Sequence, residues 1–168
     1  VAELRQTQEA LKASEKHYRS LFDGIPVGLY RSTPDGKFLD VNPALAQILG
    51  YPDRKSLLSM CAQDLYMDSD QRGIWMGQMK ENGGTQAHEM RLRKYDGSPI
   101  WIEDNSRAVY NETGDVLYYE GSIKDTTEQR EANAALQKSE DNFKTLYVES
   151  QKAQEVYRSL INSSADAI

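Results

Sequence analysis

The chain has 168 residues, 39% of them hydrophobic, with 26 acidic against 20 basic side chains and a formal net charge of −6. A packed core therefore fills only part of it, and Lys and Arg interspersed with acids give no basic run for nucleic acid. Its one cysteine, Cys61, excludes an intrachain disulfide and a multi-cysteine metal site, and suits a reducing, cytoplasmic setting.

Residues 1–22 read as a helix, being rich in Ala, Leu, Glu, Lys and Gln and free of Gly and Pro, with Leu4, Leu11 and Tyr18 recurring every seven residues. Thr7 and Ser14 occupy the second row of that seam, where only Leu21 is apolar. Beyond Gly24, "VGLYRS" and "KFLDV" flank Pro34-Asp35-Gly36 and predict a hairpin. "VNPALAQILGY" then predicts a helix with Asn42 as its cap, Pro43 at its first position and Gly50 in the left-handed closing conformation. A second short helix is expected over Asp53–Met60, and a third in "DSDQRGIWMGQMKENGG", ending at Gly83-Gly84.

Three strands follow, over about Thr85–Lys94, Ile100–Tyr110 and Val116–Lys124, separated by turns at Asp96-Gly97 and Thr113-Gly114-Asp115. Two strands, a group of short helices and three more strands imply an α+β fold: a five-stranded antiparallel sheet with helices on one face. After Lys124 no Gly or Pro occurs, and Asp125 with Glu128 resembles a capping box, so the tail reads as one long helix.

The two flanking helices repeat one another. "EALKASEKHYRSLF" (9–22) over "AALQKSEDNFKTLY" (134–147) matches Ala, Leu, Ser, Glu and Leu, and "YRSL" returns intact at Tyr157, two heptads past Phe143. One seam then runs Leu136, Phe143, Ser150, Tyr157 and the other Leu146, Ala153, Leu160. The repetition suggests one complete module between helices and the opening of another.

These stretches resemble the PAS sensory domains over roughly Tyr18 to Arg130. "YRSLFDGIPVGLY" looks like that family's opening segment, "GKFLDVNPALAQILGY" like its strand, asparagine and helix, "RLRKYDGSPIWIE" like its Asp-Gly hairpin with a following tryptophan, and "ETGDVLYYEGSIKDTTEQR" like its last strand and closing triad. The resemblance implies a PAS fold with coiled-coil-like helices at both ends. The organisation expected is an N-terminal signalling helix (1–17), a PAS domain (18–125), a linker helix (126–156) and the truncated start of a second PAS domain (157–168). It also implies a homodimer formed through the flanking helices, inside a larger signalling protein with adjacent PAS domains and a histidine kinase or cyclic-dinucleotide enzyme as effector. Asp125, Thr126 and Thr127 would relay the signal into the exit helix. The chain starts at Val1 and has no span of ~18–20 apolar residues, so it reads as a fragment without direct membrane contact whose parent is free to carry an anchor elsewhere.

No kinase histidine box, cyclase signature or phosphate-cradling loop is present, and two histidines leave little scope for a catalytic triad, so this piece is not expected to be an enzyme. Haem is disfavoured because the helix carrying Trp75 has no His, His17 and His88 lying elsewhere. Covalent flavin is disfavoured because Cys61 sits in "SMCAQDLY", without the neighbours such cysteines have in the family. The carboxylate pairs Asp68/Asp70 and Glu103/Asp104 read as helix caps and solvated edges rather than a metal site. What remains is a cavity for an unknown small ligand, lined by Trp75, Met76 and Met79 from the helix and by Met90, Leu92, Asn105 and Arg107 from the strands. Its alternative is a filled core, with methionine as gap filler, in a ligand-free dimerisation and spacing module. Asn105 and Arg107 share one strand face: inward, they suit an anion; outward, they are solvated or paired.

Overall fold

A computed structural model of the chain describes residues 1–165. It falls into two compact units, Val1–Thr127 and the remainder from Glu128 onward. In the first unit, helix α1 (Ala2–Gly24) leads into the hairpin β1 (Gly28–Ser32) and β2 (Phe38–Val41). Helices α2 (Pro43–Ile48), α3 (Arg54–Leu58) and α4 (Ser69–Asn82) follow, then β3 (Gly84–Arg93), β4 (Pro99–Tyr110) and β5 (Val116–Asp125). A 3-10 turn over Ala62–Leu65, which the sequence pattern does not signal, joins α3 to α4. The sheet order is β2-β1-β5-β4-β3 and every neighbouring pair is antiparallel, so the expected α+β arrangement is observed.

The punctuation residues act as anticipated. Asn42, Asp53 and Asp68 each accept a backbone N–H at the start of α2, α3 and α4, satisfying donors a helix leaves open. Gly50 and Gly83 take left-handed conformations (φ 71° and 72°) just past α2 and α4. Leu45, Leu57, Trp75 and Met79 from the helices, with Leu49 just past α2, meet Tyr30, Met90, Leu92, Ile100, Ile102 and Ile123 from the sheet in one core. Strand alternation selects that face: on β4, Ile100, Ile102, Asp104 and Ser106 are buried, whereas Asn105 and Arg107 are exposed.

Asn42 ties the N-terminal helix, hairpin and α2 together. Its side chain has no exposure. Its Oδ1 accepts from Leu29 N at 2.8 Å and Leu45 N at 3.0 Å, while its Nδ2 donates to Phe22 O at 3.0 Å and Val27 O at 2.8 Å. One amide thus satisfies four backbone groups where three segments meet.

The second unit consists of helix α5 from Glu128 onward; the helix begins at Thr127, the last residue of the first unit, and is unbroken to Ala165. It passes through Tyr157 without a boundary, and the last three residues expected to open a second PAS domain lie outside the described residues. Leu136, Phe143, Leu146, Tyr157 and Leu160 are all exposed. Among the described residues no helix is long and apolar enough to cross a membrane.

Asn42→Asp keeps the acceptor but removes both donors and sets a charge against two carbonyls. It is expected to destabilise the domain by about 2–4 kcal/mol, read as a lower urea midpoint with an unchanged m-value; a loss under about 0.5 kcal/mol would contradict the anchoring role.

Candidate functional site

The interior of the sheet carries a polar cluster that the sequence reading missed. Asp104 is 2% exposed, not part of a solvated edge as its pairing with Glu103 suggested. Its Oδ1 accepts from the Tyr30 hydroxyl at 3.0 Å, and its Oδ2 accepts from Trp75 Nε1 at 2.9 Å, Thr85 Oγ1 at 2.9 Å and Ser106 Oγ at 2.6 Å. The donors come from β1, α4, β3 and β4. Tyr30, Gly121, Ser106 and Thr85 lie opposite one another across four strands, and the missing side chain at Gly121 lets the tyrosine cross the sheet. A Cβ there would stand 2.9 Å from the Tyr30 hydroxyl and 2.7 Å from Ser106 Cβ. The usable signal was strand phase: Asp104 is two residues from Ile102 and four from Ile100, hence on the apolar face. Trp75, a buried indole in need of an acceptor, was the other half of it.

Burial pushes the Tyr30 hydroxyl well above the ordinary phenol value, and the neighbouring Asp104 adds to the shift. Tyr66 is pushed up to about 12, again chiefly by burial, with Arg72 opposing. The Arg72 guanidinium lies over the rings of Tyr66 at 5.8 Å and Trp75 at 5.9 Å, an arrangement in which cation and ring quadrupole attract.

Around this cluster lies a cavity of only about 30 Å³, bordered by Tyr30, Tyr66, Arg72, Trp75 and Asp104, room for one or two water molecules. Of the residues expected to line a ligand cavity, Trp75, Met90 and Leu92 border it. Met79 is buried in the surrounding core and Met76 packs half-buried against it. Asn105 and Arg107 are not brought to it. They project from the opposite face because they alternate with the inward Asp104 and Ser106, so an inward anion site built on them is corrected to a paired outer surface. Glu120 accepts from Arg107 Nη2 at 2.6 Å and Arg31 Nε at 3.3 Å, and Asn105 Oδ1 accepts from Ala87 N at 2.8 Å. With Tyr18 and Phe22 of α1 these residues line an open groove of about 740 Å³. Among the described residues no three His, Cys, Asp or Glu side chains converge as a metal site. His17 lies on α1 and His88 on β3, and Cys61 is half-buried with its Sγ 3.4 Å from Gly36 O.

The expected relay residues lie at one joint. Thr126 N donates to Trp101 O at 3.0 Å, Trp101 N donates to Thr127 Oγ1 at 3.1 Å, and Asp125 Oδ1 accepts from Thr127 N at 2.9 Å. Thr126 and Thr127, the last residues of the first unit, are thereby fastened to β4 three residues from Asp104.

A family model described as "PAS domain" matches residues 26–128. The chain belongs to the PAS domain family. The PAS domain of a protein from Colwellia psychrerythraea superposes with a TM-score of 0.61 at 19% identity, covering 69% of this chain and 98% of that one. The probable diguanylate cyclase DgcE of Escherichia coli is 25% identical over 127 residues, 74% of this chain and 11% of that protein. The sensor histidine kinase TmoS of Ectopseudomonas mendocina is 23% identical over 136 residues, 79% of this chain and 14% of that protein. The chain spans between 6% and 18% of the length of such curated relatives. It is a sensory, signal-transducing PAS module, and PAS domains are regulatory rather than catalytic.

Trp75→Phe retains the ring but removes one donor to Asp104; a loss of about 1–2 kcal/mol is expected by urea unfolding, and no loss would show that the indole N–H is dispensable. Tyr66 supplies a second check. Below the ordinary phenol value of 10.0 its contribution is intact; from there to about 12 the unfolded chain sheds a proton that the folded chain retains, so stability falls as pH rises. Tyr66→Phe should flatten the fall in urea midpoint between about pH 9 and about pH 11.5, and an unaltered slope would contradict this assignment.

Proposed function

We propose that this PAS domain is a cytoplasmic sensor and relay in which the state of the Asp104 cluster is passed along β4 and β5 to the start of α5. The observation that carries this reading is the joint itself: Trp101 exchanges hydrogen bonds with Thr126 and Thr127, and Trp101 and Asp104 share one strand. A displacement of β4 by fractions of an ångström is therefore felt at the first turn of the helix. An unknown small molecule larger than water has to widen the cavity, and a shift of Trp75 away from Asp104 to make that room would link occupancy to the position of α4. No haem or flavin is required by this scheme.

The output is carried by a homodimer. Exposed Leu136, Phe143, Leu146, Tyr157 and Leu160 form two rows at heptad spacing on α5, suited to a second copy of the same helix. Ser150 and Ala153 interrupt those rows, and a seam weakened there is one that a few kcal/mol of differential binding switches between registers. The effector is a histidine kinase or a cyclic-dinucleotide enzyme elsewhere in the parent chain, as the relatives' names suggest, and those relatives favour sensing over ligand-free spacing. Tyr157 onward opens a second module, since "YRSL" there repeats the opening segment at Tyr18.

Asp125→Ala removes the acceptor for Thr127 N and is expected to cost about 1 kcal/mol, leaving the 168-residue chain folded by circular dichroism. In the parent protein the same change should alter basal or stimulated effector activity at unchanged abundance. Wild-type output from a correctly expressed Asp125→Ala parent would sink the relay.

A further inference from the structure

The end of α1 sits in a seat made by the β1–β2 hairpin, and the contacts there read its sequence feature by feature. The Tyr18 ring stacks on Phe22 at 5.5 Å and faces the Arg31 guanidinium at 5.4 Å. Arg19 Nη1 reaches both carboxylate oxygens of Asp40, at 3.1 and 3.4 Å, and Arg54 completes the pairing of that carboxylate from the other side. Phe22 is 7% exposed, and its carbonyl accepts from Asn42 Nδ2. The seat thus selects an aromatic residue, a cation beside it and an apolar residue one helical turn further on.

The same features return in the same order on α5. Tyr157, Arg158, Ser159 and Leu160 repeat Tyr18, Arg19, Ser20 and Leu21, and Ile161 stands where Phe22 does. On this helix Tyr157, Leu160 and Ile161 are 68%, 63% and 49% exposed, against 7% for Phe22. With the looser copy Phe143–Tyr147, also exposed, each chain carries three segments of related chemistry and one described seat for them, and Tyr157–Leu160 is the copy that repeats the resident tetrapeptide unchanged.

We propose that the β1–β2 seat also binds Tyr157–Ile161 of a second copy of this chain, in place of the resident Tyr18–Phe22. Tyr157 lies against Arg31, Arg158 pairs with Asp40, and Ile161 enters the space of Phe22. The resident segment holds the seat at rest for two reasons. It is tethered at an effective concentration on the order of millimolar, and phenylalanine buries more apolar surface than isoleucine. Loosening the end of α1 hands the seat to the incoming helix, so neighbouring modules exchange opening segments. The exchange is independent of which effector the parent carries.

The test uses a fluorescent peptide spanning residues 150–163, titrated into the 168-residue chain and followed by anisotropy. The Y18A/R19A chain, whose own segment then holds the seat through Phe22 alone, should bind at least about tenfold more tightly than wild type. Adding D40N to that chain, or Arg158→Glu to the peptide, should return affinity to the wild-type level or below. Equal affinity for wild type and Y18A/R19A overturns the proposal. So does binding that survives D40N, which would instead place the peptide on α5 and leave the coiled-coil reading standing. If Y18A/R19A loses cooperative thermal unfolding, R19A carries the same comparison.

Discussion

A carboxyl group shut away from water costs more than burial returns unless its oxygens are hydrogen-bonded, and Asp104 meets that condition by recruiting donors from four elements. The requirement fixes much of the domain at once. Trp75 must present its indole N–H, which sets the rotation of α4 over the sheet. Tyr30 must cross β5, which demands a glycine at 121. Thr85 and Ser106 must lie side by side, as the β3–β4 register provides. An aspartate in that place specifies one arrangement of α4 and the sheet where an apolar residue would tolerate several.

Asn42 plays the corresponding part at the N-terminal end, but on backbone groups rather than side chains. Its four bonds join the end of α1, the start of β1 and the first turn of α2. Asp40, two residues earlier, adds the charged contact to Arg19 and Arg54. The strand that carries Asp40 is only four residues long and ends one residue before Asn42, so the two anchors of α1 lie side by side at the edge of the core. The hairpin and the Asp104 cluster meet on the inner sheet face: Tyr30 is the cross-strand partner of Val41 and also a donor to Asp104.

How much of this was legible follows from the kind of signal involved. Asn42-Pro43, Asp68, Gly83 and Asp96-Gly97 mark backbone needs that are local, so the order of strands and helices was readable from residues within a few positions of each boundary. Asn105 and Arg107 were candidates because they share a face, yet which face is decided by phase against Ile100 and Ile102, and those isoleucines point to the core. The same phase carries Asp104 inward. Its adjacency to Glu103 obscured this, since two neighbouring acids look like surface charge whichever way either one points. Pairings such as Arg19 with Asp40 or Tyr30 with Asp104 span 21 and 74 positions, and no local pattern announces a contact at that separation. The 3-10 turn at Ala62–Leu65 was invisible because it lacks the length to show a period.

The two outermost strands of the sheet differ in how they meet the surroundings. β2 is too short to template much, but β3 runs ten residues at an edge. Its pairing with β4 slips between Thr85 and His88, where Ala87 adopts φ 46° and is held by Asn105. That irregular step breaks the even row of amide and carbonyl groups that a stray strand needs in order to zip on. Asn105, placed on the outer face rather than in the cavity, thus holds the step at which this edge departs from a regular strand.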